Sequence, residues 1–179
     1  AIIVPANFKH YLLYNRNLLN IIAEFTPDIE EASIDECYIN LKGLQRLYRK
    51  SYAAICYDIK ETIKSRLGIS VSIGLSTSKV LAKIASNYKK PDAITVINGK
   101  NIHNFLTKIG LQDIKGIGSN TLALLNKQGI NTPLQFIQTP PAHLQKLLGI
   151  SGLQLQMELQ GKSVQPVSNE IPTPKSLAR

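Results

Sequence analysis

The 179-residue sequence has no tryptophan, one methionine, two cysteines and three histidines. Cys37 and Cys56 stand far apart and have no companion at a metal-ligand spacing. That argues against a disulfide framework or a zinc site and predicts buried thiols. His10, His103 and His143 are equally scattered and are expected at the surface or an interface. Long apolar runs are also missing: none approaches the ~20 residues that a membrane-spanning helix needs. No basic-then-apolar leader opens the chain, which sets a cytoplasmic protein as the expectation. Acidic residues are scarce, 12 against 21 Lys and Arg, for a formal net charge of +9. An excess of that size favours a polyanion partner through phosphate contact and counterion release. An anionic membrane surface competes poorly, because no long amphipathic helix carries the charge. The lysines gather between Lys79 and Lys115, which points to phosphates.

What is present is ordinary for a globular chain: 44% hydrophobic and 18% charged residues, enough for one domain or two small ones. The opening Ala1-Ile2-Ile3-Val4-Pro5, without an initiator Met, predicts a fragment. Asn7 caps a helix expected over Phe8 to Phe25, with Leu12, Leu18, Leu19, Ile22 and Phe25 on its apolar face. Thr26-Pro27-Asp28 ends it. Strands are expected over Ile29 to Ile34 and Cys37 to Leu41, then a long helix from Leu44 to Leu67 closed by Gly68. Ser70 to Gly74 alternates like a strand; a short helix, Val80 to Asn87, and a strand, Ile94 to Ile97, follow. This order lacks only an opening strand to complete a ferredoxin-like sandwich. From Ile102 onward the pattern is short helices punctuated by Gly and Pro, so a domain boundary is placed near Lys100 and Asn101. Val164 to Arg179, with Pro166, Pro172 and Pro174, reads as an extended linker.

Two features carry chemistry. Asp35 and Glu36 lie between two strand-like runs. Neighbouring side chains of a regular strand point to opposite faces, so the pair shares a cation only where the backbone bends. A hairpin tip supplies that bend, and two hard oxygen ligands suit Mg²⁺, which keeps several waters and binds through one or two carboxylates plus substrate phosphates. A solvated loop pair is the plain alternative. The second feature is Lys115-Gly116-Ile117-Gly118 between helical segments Leu111 to Ile114 and Asn120 to Gln128. Its glycines permit a turn that exposes successive amides at a helix N-terminus. Leu148-Gly149-Ile150-Ser151-Gly152 echoes it before the helical Leu153 to Leu159. Paired turns in a basic chain favour DNA-backbone contact over a plain helical hairpin.

These residues carry a family resemblance. Ser33-Ile34-Asp35-Glu36-Cys37-Tyr38 resembles the Ser-Ile-Asp-Glu-x-Tyr palm motif of Y-family translesion DNA polymerases. The run from Gly74 to Ser86 and then Lys90-Pro91 is similar to the palm segment ending in a triphosphate-binding lysine. Lys115 to Gly118 resembles the helix-hairpin-helix turn of that family's thumb. Glu158 to Lys162, Pro166-Val167 and Lys175-Ser176 resemble the thumb's exit and the linker beyond it. The likeness spans nearly all of the chain, in the family's order.

The resemblance implies an α+β fold: a partial ferredoxin-like palm (an antiparallel sheet with helices on one face) over residues 1–100, an all-α helix-hairpin-helix thumb over 101–165, and a linker over 166–179. It implies two Mg²⁺ ions, with Asp35 and Glu36 as catalytic metal ligands. Lys90 and Lys83 would bind the nucleotide triphosphate, and Lys79, Lys115, Gly116, Ile117, Gly118 and Ser119 would contact DNA. Expected partners are primer-template DNA and deoxynucleoside triphosphates, with a sliding clamp reached through an absent C-terminal region; the chain is expected to be monomeric. The family's first palm strand, which holds another metal-binding Asp, has no counterpart here, so the piece alone is expected to be inactive. Lys115 replaces the family's usual Pro, Asn87 an acidic residue and Ala93 a Gly. A non-catalytic DNA-binding module is the rival reading, and a small-molecule nucleotidyl transferase or cyclase a third.

Overall fold

The computed structural model describes residues 4–169. The linker residues Pro172, Pro174, Lys175, Ser176 and Arg179 lie outside them. The described residues form a mixed α and β structure in two compact units, one built from the chain up to Ser70 with the segment from Val167, the other from Val71–Pro166.

The first unit starts with α1, Phe8–Ala23, whose Asn7 cap accepts from the His10 amide. Ile21 and Ile22 are buried while Leu12 is 47% exposed, so the expected apolar stripe is covered only toward its C-terminal end. A hairpin follows, β1 (Ile29–Ser33) paired antiparallel with β2 (Glu36–Ile39). The long helix expected from Leu44 to Leu67 is two: α2, Leu44–Tyr48, and α3, Tyr52–Leu67. Arg49 takes a left-handed conformation at φ 51° and Ser51 starts a new helix by accepting from the Ala54 amide. The apolar spacing ran on across the break because Tyr48, tied to the Phe25 carbonyl at 2.9 Å, still faces α1's end. Ile55, Ile59 and Ile63 of α3 are each 1% exposed, as their spacing predicts. Burying each such side chain is worth ~2 kcal/mol.

The second unit opens with β3, Ile73–Leu75, rather than the alternating Ser70 to Gly74. Helix α4, Lys79–Tyr88, then returns the chain to β4, Ile94–Val96, which pairs parallel with β3. A helical crossover delivers the second strand in the same direction as the first. The expected antiparallel sheet is therefore confined to the β1–β2 hairpin, and among the described residues the strands make two separate two-stranded sheets. Gly74 permits close approach of β3 to α4: a Cβ there would overlap the Ala82 carbonyl and the Ser86 amide.

Beyond β4 come α5 (Ile102–Leu106), α6 (Ser119–Lys127), α7 (Pro133–Gln138) and α8 (Pro141–Leu159). Leu81 and Ile84 of α4 share one core with Leu106, Leu125, Phe136 and Leu159. The compact unit thus runs through the compositional boundary near Lys100. The helix expected at Leu111 to Ile114 is a single 3-10 turn, Leu111–Asp113, held by the Asp113 carboxylate accepting from the Gly110 amide at 2.7 Å.

Candidate active-site hairpin and basic elements

The β1–β2 register places Ser33 opposite Glu36 and Glu31 opposite Cys37, with an irregularity between Glu31 and Ser33. Ala32 is the extra residue, a bulge that rotates Ser33 onto the face of its partner Glu36. Ile34 and Asp35 form the two-residue turn. Ser33 Oγ donates to Asp35 Oδ1 at 2.7 Å. The Asp35 carboxylate is thereby tied to Ser33, the residue that pairs with Glu36 across the hairpin. Asp35 is exposed and Glu36 half-buried. Their donor set, two carboxylates at an open tip, fits a hard cation that retains water. Among the described residues no group of three or more His, Cys, Asp or Glu converges on a metal-sized site.

Three hydrogen bonds that the sequence did not announce hold this hairpin. Asn15 Nδ2 of α1 donates to the Ile34 carbonyl at 2.8 Å. At the other end, the Ile29 amide donates to Asn169 Oδ1 at 3.0 Å and the Ser168 amide to Glu30 Oε2 at 2.8 Å. An open groove of about 560 Å³ runs between α1 and β1, lined by Leu12, Leu19, Ile29 and Ile34 among others. Neither Asp35 nor Glu36 lines it. Burial, with Glu31 adding repulsion, pushes the half-buried Cys37 thiol up to about 11, and burial does the same for Cys56.

In the second unit, Lys79 begins α4 and Lys83 lies one turn on, both half-buried. Lys90 is exposed beyond the helix's other end. The ten residues of α4 span ~15 Å, so Lys79 and Lys90 stand at opposite ends of it. The start of α4 is fixed by Glu158, which is 2% exposed. Its carboxylate accepts from the amides of Val80 (3.3 Å), Val164 (2.7 Å) and Gln165 (3.0 Å). A buried acid placed at a helix N-terminus is favoured by the macrodipole.

The glycine turn forms as expected in its second half. Gly116 has φ +102°, Ile117 is buried beside Ile114, and Lys115, Gly116, Gly118 and Ser119 are exposed. Gly118 precedes α6 without a side-chain cap, and the first amides of a helix have no intrahelical acceptor. The echo at Gly149 is a kink within α8, with φ 68° and ψ −158°. Ile150 beside it is 68% exposed.

The acidic hairpin lies in one unit, and the lysine-bearing α4 and the glycine turn before α6 lie in the other. The impB/mucB/samB family profile matches residues 1–87. DNA polymerase IV of Alkaliphilus oremlandii is 33% identical over 165 residues, 92% of this chain and 41% of the relative. DNA polymerase IV of Saccharolobus solfataricus is 33% identical over 152 residues, 85% of this chain and 42% of the relative. Among solved structures, an insertion ternary complex of Dbh DNA polymerase superposes with a TM-score of 0.82 at 29% identity, covering 94% of this chain and 49% of that one. DinB from Sulfolobus solfataricus gives 0.80 at 29% identity, with coverage of 94% and 50%. Along most of its length the chain is similar to these polymerases and to a Y-family DNA polymerase chimera of known structure (TM-score 0.83, 28% identity, 96% of this chain and 50% of that one), and it spans about two-fifths of the length of the curated relatives.

Proposed function

We propose that these residues form the metal-binding hairpin and thumb of a translesion DNA polymerase, which adds deoxynucleotides to a primer opposite or past damaged template bases. The observation that carries the reading is the bulged hairpin whose turn holds Asp35 against Ser33, the residue paired with Glu36. In this reading residues 1–100 are the palm portion, 101–165 the helix-hairpin-helix thumb and 166–179 a linker.

Asp35 and Glu36 would hold Mg²⁺. Two such ions, when bound, activate the primer 3′-oxygen and stabilise the leaving pyrophosphate in an in-line displacement. The residues of the chain supply the rest. Ser33 orients the Asp35 carboxylate through Oδ1. Lys90, exposed beyond the end of α4 and compact in charge, is assigned to the β- and γ-phosphates, together with Lys83 within α4. Lys79, Lys115 and the amides from Gly116 to Ser119 are assigned to DNA phosphates, where contact fixes register without reading bases. Primer-template DNA and deoxynucleoside triphosphates are the partners, and a soluble cytoplasmic monomer is the working state.

The test is primer extension by the complete polymerase chain carrying these residues, with Mg²⁺ and all four deoxynucleoside triphosphates. Asp35→Asn removes one anionic ligand with little change of shape. Extension should fall by at least about a thousandfold, a loss of roughly 4 kcal/mol of transition-state stabilisation, while primer-template affinity stays within about twofold. Undiminished extension would remove Asp35 from the reaction and leave a DNA-binding module.

A further inference from the structure

We infer that Asn15, on α1, is a positioning residue for the Asp35–Glu36 metal site; this rests on the function proposed above. Asn15 lies in the middle of α1, half-buried, and its Nδ2 donates to the Ile34 carbonyl at 2.8 Å. That carbonyl belongs to the peptide unit whose nitrogen is Asp35's own. The unit is planar, so holding its oxygen fixes the plane and with it one of the two bonds that aim the Asp35 side chain. Ser33 Oγ holds the same side chain from the other direction, at Oδ1. Asp35 is therefore set at both ends, its backbone by a helix nineteen positions upstream and its carboxylate by its own strand.

The hairpin needs such a clamp. Its turn is two residues long, its strand carries a bulge next to the turn, and Asp35 is exposed. A two-stranded hairpin is marginal on its own. Glu30, Glu31 and Glu36 lie on these two strands and Asp35 in the turn between them. A neutral donor on α1 restrains the turn without competing with the cation, which a lysine at this place would do. Partners outside the metal's own ligands hold those ligands in orientation, and losing one typically lowers metal affinity or activity ~10–100-fold.

The probe is Mn²⁺ alone, titrated by electron paramagnetic resonance into the complete polymerase chain, beside a DNA-binding assay. Asn15→Leu removes the donor at similar volume. Asn15→Asp keeps the shape and turns a carboxylate toward the carbonyl. Both should raise the Mn²⁺ dissociation constant ~10–100-fold with DNA affinity unchanged, and Asn15→Gln, which keeps an amide donor, should recover part of the loss. In extension assays the same variants should lose kcat with KM for the nucleotide little changed, and raised Mn²⁺ should restore rate. Circular dichroism confirms folding; should Asn15→Leu fail there, the near-isosteric Asn15→Asp decides. Parental Mn²⁺ affinity in a folded Asn15→Asp chain overturns the inference while leaving the polymerase reading intact. Mn²⁺ binding that survives Asp35→Asn overturns the reading itself, and the inference with it.

Discussion

Ser78 and Glu158, eighty positions apart, meet at the start of α4: Ser78 Oγ donates to the Glu158 carbonyl at 2.7 Å. The same hydroxyl caps α4 by accepting from the Leu81 amide, and the Glu158 carboxylate takes the Val80 amide. One buried acid thus joins the end of α8, the segment leaving it and the helix that carries Lys79 and Lys83.

Removing that acid should unsettle all three. Glu158→Ala leaves the Val80, Val164 and Gln165 amides without their acceptor; at ~1–3 kcal/mol for an unsatisfied buried group, with water recovering part of it, we expect a loss of about 3 kcal/mol. Glu158→Gln keeps one acceptor oxygen and places an NH₂ near an amide, and should fall between. Urea denaturation followed by circular dichroism measures both, and a shift below about 1 kcal/mol for the alanine variant would mean the network contributes little.

Gly74 should not tolerate even a methyl group. The atoms its Cβ would meet are backbone, the Ala82 carbonyl and the Ser86 amide, so no rotamer change relieves the overlap. Gly74→Ala should destabilise by ~2–3 kcal/mol by forcing β3 and α4 apart. Gly99→Ala is the control, since nothing lies within 4 Å of its Cβ position, and its unfolding midpoint should be unchanged.

The thiols give a pH dependence with a definite sign. Cys37 and Cys56 are raised from an ordinary 9.0 to about 11 in the fold, so the native state holds their protons more tightly than the unfolded chain does. Their stabilising contribution is complete below pH 9 and is lost as pH rises from 9 through 11. Alkylation by iodoacetamide should show a midpoint near 11 in the native chain and near 9 after denaturation. A native midpoint at or below 9 would contradict the burial of Cys56.

Local chemistry was legible in the sequence. Asn7, Gly68 and the Ile55, Ile59 and Ile63 spacing each act within a turn or two of helix, and each stands where its chemistry placed it. The acidic pair was legible as a hairpin tip because strand runs flanked it. What stayed hidden depends on distant partners. The break at Arg49 leaves the apolar period of α2 and α3 in phase. The parallel pairing of β3 with β4 is a matter of connection. The bonds from Asn15 to Ile34 and from Glu158 to Val80 join residues whose spacing carries no signal. The expectation of a continuous antiparallel sheet failed for the same reason: alternation reveals a strand and not its neighbour.

The glycine turn before α6 offers a separation of fold from binding. Gly116 has φ +102° and Gly118 does not have a positive φ, while neither has an atom within 4 Å of its Cβ position. Gly116→Ala should therefore cost ~1–2 kcal/mol of stability through backbone strain, whereas Gly118→Ala should leave stability within about 0.5 kcal/mol. If the first amides of α6 lie against DNA phosphates, a methyl group at Gly118 stands between them and the backbone, so this stable variant should still bind primer-template more weakly. Lys115→Ala acts through charge instead. For duplex DNA, log K falls against log salt with a slope near −0.9 per phosphate neutralised, so losing one lysine contact should flatten the slope by about 1. Salt-titrated fluorescence anisotropy on one undamaged duplex measures all three. Gly118→Ala binding at parental strength, together with a Lys115→Ala slope equal to the parent's, would move the DNA contact away from this turn.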